Sequence, residues 1–591
     1  MTENQDPVIP TDPPPKTERE KPYPHPLDLR RFRLGELQDR ELSIQSASLA
    51  FRDLEDWTQK LKDRTFVVNW LRERQQADFE EYADVKDFLV KPLVWGRDDV
   101  TMWFNELAGC KRYIRRLEKE GLRIEPDVEG AWRVDMPVEE GVRKGLADGV
   151  LMLENIPEDQ KLWRFSCLNP NMVLDVLDPS IYPIIYKKTT LNDGTVIEYA
   201  PYPIDEEART THPNFCWLPS EFTVSKDGKS TKIASYINNL SLPSEEKTFH
   251  PILEKVFTAF VPLFNHVLAE TERQAWVESR CVDPTPWKSR VNDGTLLASR
   301  KACEDATEEL LSQMEKTGQM KIDPFEGLGV PGTPRPERHQ SMFPIRNSYK
   351  LITDAVWTPP KISRFNKLEG RTAKVVVSMV NILLSPENPE YKPEEWQLNG
   401  FRNERIIATG IYTYAQENIT EPYLSLRRRA FGKIKPTTPQ EIESIRLKDN
   451  RAIVYPNIHE HRLAPFHLLD PSKPGFTKLL IFYYCDPSSS HTLQTTSQIP
   501  PQQPNIIPAI LRHTSLGHRL PEEVFVQILS YLPDTAIPFE EAVCYRQQMY
   551  DFQQEWMNSV NNEVFYDEYE RDHYYGLHPD GYDKGYSSEE D

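Results

Sequence analysis

Apolar positions in the first half of the chain recur three and four residues apart. The stretch "LKDRTFVVNWLRERQQADFEEYADVKDFLV" shows this spacing, and "MPVEEGVRKGLADGVLMLENI" shows it again over Val138 to Ile156, so both predict amphipathic helices. A longer helix is expected from about His250 to Ser279, with Ile252, Val256, Phe260 and Phe264 on one core-facing stripe. Between these helices, "VLDVLDPSIYPIIYKKTTLNDGTVIEYAPYPI" is mixed, and Asn192-Asp193-Gly194 predicts a hairpin turn. From Lys374 to Pro487 the pattern becomes short strands: "KVVVSMVNILLS", "RIIATGIYTYA", "RAIVYPNI" and "KLLIFYYCDP", each bounded by Pro, Asn, Gly or Asp. That spacing predicts a sandwich or jelly roll. "LPEEVFVQILSYL" and "FEEAVCYRQQMYDFQQEWM" read as closing helices.

The fold class that follows is α+β, with a helical N-terminal half, a β-rich C-terminal core that the strand pattern leaves open between a sandwich and a jelly roll, and closing helices. The expected division is a disordered Pro-rich arm over 1–30 and a mainly helical domain over 31–317. A Gly- and Pro-rich linker follows over 318–345, then the jelly roll over 346–515. C-terminal helices take 516–562, and an acidic, Tyr-rich disordered tail takes 563–591. Ser587 and Ser588 in that tail precede acids, where an acidophilic kinase could act.

Composition narrows the partners. The 591 residues include 71 basic and 91 acidic side chains, a net charge of -20 that repels phosphate backbones, so no nucleic-acid partner is expected. Arg427, Arg428 and Arg429 are the densest basic run and read as a solvated edge. No apolar run reaches the roughly 18 residues of a membrane span, and the N-terminus lacks the apolar core of a secretory signal. Seven cysteines without a C-x-x-C pair give neither a disulfide framework nor a Cys-based zinc site. The expectation is an intracellular, cytoplasmic or nuclear protein that is not secreted, with the sequons at Asn239 and Asn418 unused. Phosphate-loop, dinucleotide-binding, nucleophile-elbow and H-E-x-x-H patterns do not occur.

Several ordered stretches carry a resemblance. They are "LDPSIYPIIYKKT", "FCWLPSEF", "KIASYINNL", "NILLSPENPEY", "FRNERIIATGIYTYAQENITEPYLSLR", "YPNIHEHRLAPFHLLDPSKPG" and "IPPQQ". Spread over roughly residues 50 to 555, they resemble the largely fungal domain-of-unknown-function family 4246. The resemblance implies an iron(II)- and 2-oxoglutarate-dependent oxygenase-like jelly roll. It implies a Trp-His-x-Glu-Gly stretch, then Asn-Glu, a distal His-Arg and a Pro-Gly-x-Arg-Lys anchor. Two imidazoles and one carboxylate on one face would leave open positions on the metal for cosubstrate and oxygen. The arginine would clamp the far carboxylate of 2-oxoglutarate.

This chain keeps the frame of that pattern and changes its ligands. Trp396 and Gly400 match, but Gln397 stands for the first histidine and Asn399 for the glutamate. Asn403, Glu404 and Arg427 match, as do the distal His461 and Arg462. At the anchor Pro474 and Gly475 match, whereas Thr477 replaces the arginine beside Lys478. Amide oxygens are weaker donors than imidazole or carboxylate, and Thr477 offers one hydroxyl in place of five guanidinium donors. His459, two residues before His461 on the same strand, is a candidate replacement ligand, with Glu404 a more distant source of a carboxylate. Tyr412, Tyr414 and Phe466 are candidate aromatic walls. The expected reading is a catalytically degenerate member that binds a small organic ligand or a protein partner, with Fe(II) and 2-oxoglutarate as cofactors only if the altered site still holds them. The alternative is an active tailoring oxidoreductase, or a non-redox enzyme, of fungal specialised metabolism with a non-standard metal site.

Overall fold

The computed structural model describes residues 23, 25, 34–35, 39–84, 97–200, 210–240, 243–276, 359–431, 438–489, 493–531 apart from 513, 515, 516 and 518, and 536–560. Nine α-helices occur among them: α1 (Asp39–Arg52), α2 (Trp57–Lys60), α3 (Arg64–Asp84), α4 (Arg97–Lys119), α5 (Glu140–Glu154), α6 (Pro243–Trp276), α7 (Ile506–Arg512), α8 (Glu522–Ser530) and α9 (Phe539–Val560). Before α6 the strands are β1 (Leu34–Gly35), β2 (Glu125–Pro126), β3 (Trp132–Asp135), β4 (Val173–Leu177), β5 (Ile184–Ile185), β6 (Phe215–Cys216), β7 (Ser220–Val224) and β8 (Thr231–Ile233). After it come β9 (Thr372–Leu384), β10 (Glu390–Tyr391), β11 (Ile406–Glu417), β12 (Tyr423–Phe431), β13 (Thr438–Arg446), β14 (Arg451–Pro456), β15 (Glu460–Leu463), β16 (Phe466–His467) and β17 (Gly475–Cys485).

Two largely antiparallel sheets organise these strands. The larger has the order β2-β3-β14-β11-β17-β9-β7-β8, with β4 also paired to β9, and the smaller joins β1, β12, β13 and β15. Because side chains alternate along a strand, the large sheet has two apolar faces. Leu480, Phe482 and Tyr484 belong to one core with Phe257, Phe260 and Phe264 of α6. Leu479, Ile481 and Tyr483 belong to another with Leu424, Leu426, Ile442 and Ile445 of the small sheet. The second core is therefore the space between the sheets. Val128, Ala131 and Leu49 from the N-terminal region also contribute to it. A third core, around Phe51, Trp70 and Trp103, unites α1, α3 and α4.

The stripe expected on α6 forms as core: Val256, Phe260 and Phe264 are fully buried. Gly410 makes room for it, since a Cβ there would lie 2.7 Å from the Phe260 ring. The span Phe249–Glu272 is nonetheless long and apolar enough to cross a membrane, against the expectation that no segment would be; most of it is buried inside the protein.

Three further expectations need correction. The large sheet crosses the expected boundary between a helical domain and a β domain, because β3, β4, β7 and β8 of the first half pair with strands of the second. The Pro-rich arm is not wholly solvated. Tyr23 and His25 are buried, the Tyr23 amide donates to Asp486 at 3.0 Å, and Tyr23 packs into the core on the α6 side. The arginine run is not a solvated edge either, since Arg427 and Arg428 are buried in ion pairs with Glu460 and Glu129. The linker over 318–345 and the acidic tail with Ser587 and Ser588 lie outside the described residues.

Candidate functional site

The segment Trp396–Gly400 joins the small sheet through a single antiparallel bridge. The Gln397 amide donates to the His461 carbonyl and the His461 amide to the Gln397 carbonyl, both at 2.9 Å. Two residues that exchange both backbone bonds have Cα atoms about 5.5 Å apart and side chains on the same face. His461 is in turn paired with Leu426 of β12, a residue of the inter-sheet core. Asn399 follows in a bend, and Leu398 between them packs on Phe401, Trp556 and Met557. The backbone thus brings together the three positions singled out in the sequence.

Their side chains form a neutral set. The Asn399 Nδ2 donates to Thr409 Oγ1 at 3.0 Å and to the Tyr455 hydroxyl at 3.1 Å, and these two residues face each other across β11 and β14. The Tyr455 ring lies 5.8 Å from the His461 ring, and burial keeps its phenol protonated far above the usual range. The Asn457 side chain fastens the turn by donating to the carbonyls of Asn399 and Ile406. His461 is partly exposed, but its Nδ1 is buried without a partner among the described residues. Burial holds the imidazole neutral, with its pKa lowered to about 4.

His459 does not join this set. It is fully buried, its Nε2–H donates to the Glu129 carbonyl at 3.1 Å, and burial lowers its pKa to about 4. Glu404 is equally committed. Its carboxyl accepts the Phe401 amide at 2.7 Å and the Trp217 amide at 2.9 Å, and burial raises its pKa to about 7. Asn403 completes that staple by accepting the His212 amide and donating to Tyr186 and to the carbonyls of His212 and Phe215. Gly400, at φ +71°, turns the chain between these groups; a Cβ there would meet Ile406 at 2.7 Å.

The remaining motif residues lie on the opposite face of the small sheet. The guanidinium groups of Arg427 and Arg462 lie over the Trp396 ring, 4.7 and 4.3 Å from its centroid. Arg427 also pairs with Glu460 at 2.6 Å. These contacts build a cation–π ladder that holds the segment to β12 and β15. At the anchor positions, Thr477 is fully buried, and its hydroxyl has no partner among the described residues. Lys478 faces the other side of β17, where it pairs with Glu154 of α5 at 2.7 Å. Tyr412 and Tyr414 also lie on that α-helical side, while Phe466 stacks on Tyr391 near the inter-sheet core.

Two amides and one imidazole, with no anionic donor, do not fit Fe(II), whose oxygenase sites use two imidazoles and a carboxylate. Among the described residues no three His, Cys, Asp or Glu side chains lie close enough to hold a metal ion. Tyr455, Thr409 and Asn457 were not singled out in the sequence; pairing Tyr455 with Thr409 needs the register of two strands some 40 residues apart, which periodicity does not supply.

The family whose description reads protein of unknown function (DUF4246) matches residues 99–509. Among solved structures, the Fe(II)/(alpha)ketoglutarate-dependent dioxygenase TqaL is 9% identical, covering 63% of this chain and 87% of its own, at a TM-score of 0.24. IDO from Bacillus thuringiensis is 9% identical, covering 20% and 47%, at 0.14. A prolyl-4-hydroxylase from Pseudomonas putida is 12% identical, covering 18% and 49%, at 0.11. These are distant likenesses. No curated protein matches.

Proposed function

The chain belongs to the protein family of unknown function DUF4246, and we propose that it is a catalytically degenerate member of an oxygenase-like fold. In this reading the two facing sheets are a jelly roll that serves as a binding or accessory unit for a small organic ligand or a protein partner. The observation that carries the reading is the bonding of Asn399. At the position where the family pattern places a metal-binding carboxylate, a neutral amide is held by Thr409 and Tyr455. Gln397 and a neutral His461 complete a site without formal charge. The place of the cosubstrate arginine, Thr477, offers only a buried hydroxyl.

Calorimetric titration of the metal-free protein with Mn(II), with and without 2-oxoglutarate, tests this. The expected result is no micromolar binding of either. Micromolar metal binding that tightens with 2-oxoglutarate and vanishes in His461→Ala would overturn it. That outcome would make the chain a tailoring oxidoreductase with a non-standard metal site.

A further inference from the structure

The β7–β8 hairpin closes one end of the large sheet. Its turn is locked against the loop that precedes β9. The Gly370 amide donates to the Val224 and Ser225 carbonyls, both at 3.1 Å, and the Val224 amide donates to the Arg371 carbonyl at 2.9 Å. A Cβ on Gly370 would lie 3.5 Å from the Lys226 side chain, and one on Gly228 would lie 2.9 Å from that of Glu369. This junction merges two basic runs into one surface. Lys226, Lys229 and Lys232 come from the hairpin and Arg364, Lys367 and Arg371 from the loop, and all six are exposed.

The nearby acids are engaged elsewhere. Asp227 accepts from the Ser225 hydroxyl at 2.6 Å and from the Lys229 amide at 3.2 Å, and Glu369 accepts from Asn265 at 3.0 and 3.1 Å. Glu254 alone forms an ion pair with a cation of the patch, Lys232, at 2.8 Å. Arg371 directs its N–H groups to the neutral carbonyls of Phe365 and Arg364. Lys226, Lys229 and Lys367 form no ion pair among the described residues. On a chain of net charge -20, this is a concentrated and largely uncompensated positive surface.

We propose that the acidic segment 563–591 of the same chain docks on this patch. The segment holds ten acidic side chains against Arg571 and Lys584, with six tyrosines among them. It therefore complements lysines and guanidinium groups both by charge and by cation–π contact. It follows closely on α9, which ends at Val560. Its 29 residues can span up to roughly 100 Å, more than the ~60 Å across a fold of this size. A tethered partner is present at an effective concentration of about a millimolar, so exposed pairs that are weak singly act together. A separate polyanion would instead approach against the net negative charge of the whole chain. The docking is independent of whether the inter-sheet site is catalytic.

Lysine acylation of the full chain at about 0.01 M ionic strength, where screening is weak, tests it by mass spectrometry. The comparison is a full-length variant with Glu→Gln and Asp→Asn at the ten acidic positions of 563–591. Lys226, Lys229 and Lys367 should react about 3-fold more slowly in the parent, as several exposed pairs acting together require. Lys119 of α4, outside the patch, should react equally in both. The difference should vanish at about 1 M salt and should not change on dilution. Equal rates at the three lysines in parent and variant, or equal protection of Lys119, would overturn the proposal. So would protection lost on dilution, because a second copy would then supply the acidic segment.

Discussion

The double substitution Gln397→His, Asn399→Asp should strengthen metal binding at the three positions that Gln397, Asn399 and His461 occupy. The backbone already supplies the geometry. The Gln397 and His461 backbones exchange two bonds of 2.9 Å, which sets their Cα atoms about 5.5 Å apart. Residue 399 lies two positions along, with its side chain on Thr409 and on Tyr455, whose ring is 5.8 Å from that of His461. Asp at 399 is isosteric with Asn, and Thr409 and Tyr455 can both turn their hydroxyls to donate to it. If each restored ligand contributes about 3 kcal/mol, the pair contributes about 6 kcal/mol, an affinity gain of roughly 10⁴-fold. Each single substitution should give about 10²-fold. Calorimetry with Mn(II) reads all three directly, and His461→Ala in the double variant should abolish the gain. A double variant with native thermal stability that binds Mn(II) no better than the parent would refute the reasoning, because the three side chains would then not converge.

Four other outcomes follow from contacts already described. The His459 pKa falls from 6.5 in the unfolded chain to about 4 in the folded one, so its stabilisation is complete above pH 6.5. It is lost as pH falls toward 4, by up to about 3 kcal/mol. Glu404 runs the other way, its pKa rising from 4.5 to about 7, so its part of the stability is lost as pH rises through that window. Urea midpoints at pH 4.5, 6 and 8 for the parent, His459→Asn and Glu404→Gln should show each slope flattened separately. Arg427→Ala leaves the Glu460 carboxylate without its 2.6 Å partner and should cost about 3–5 kcal/mol, whereas Arg462→Ala, on a half-exposed pair, should cost about 1 or less by the same assay. Tyr455→Phe removes an acceptor from the buried Asn399 amide and should cost about 1–3 kcal/mol in denaturant. Gly410→Val drives a side chain into Phe260 and should lower stability by about 1–3 kcal/mol, read as a drop in melting temperature.

Much of the architecture was legible from periodicity. The strands over 374–487, the helix under Phe260 and Phe264, and the turn at Gly194 (φ +84°) each follow from a local pattern. The frame of the site was legible too, because Trp396, Gly400, Asn403, Glu404 and His461 sit in a recognisable order. What the order could not give was the company each side chain keeps. His459 and His461 share a strand parity, yet one is committed to the Glu129 carbonyl and the other faces Tyr455. Arg427 and Arg428 look like a solvated run until the cross-strand partners Glu460 and Glu129 are known, and Glu129 lies about 300 residues away in the chain. Tyr23 carries no sign of burial, because its partner Asp486 stands far along the sequence.

The large sheet has a consequence for how the chain acquires its shape. β3 is hydrogen-bonded to β14 in the register Trp132 to Val454 and Asp135 to Arg451, and β4 to β9 in the register Val173 to Ile382. The first half of the chain therefore emerges from the ribosome with strands whose partners have not yet been made. Closing loops of this length is slow, and it leaves strand edges and apolar faces uncovered meanwhile. Cutting the chain between its halves would make that condition permanent. A fragment beginning after residue 358 would bare the β14 and β9 edges and associate with itself, and the two halves should regain solubility only when produced together.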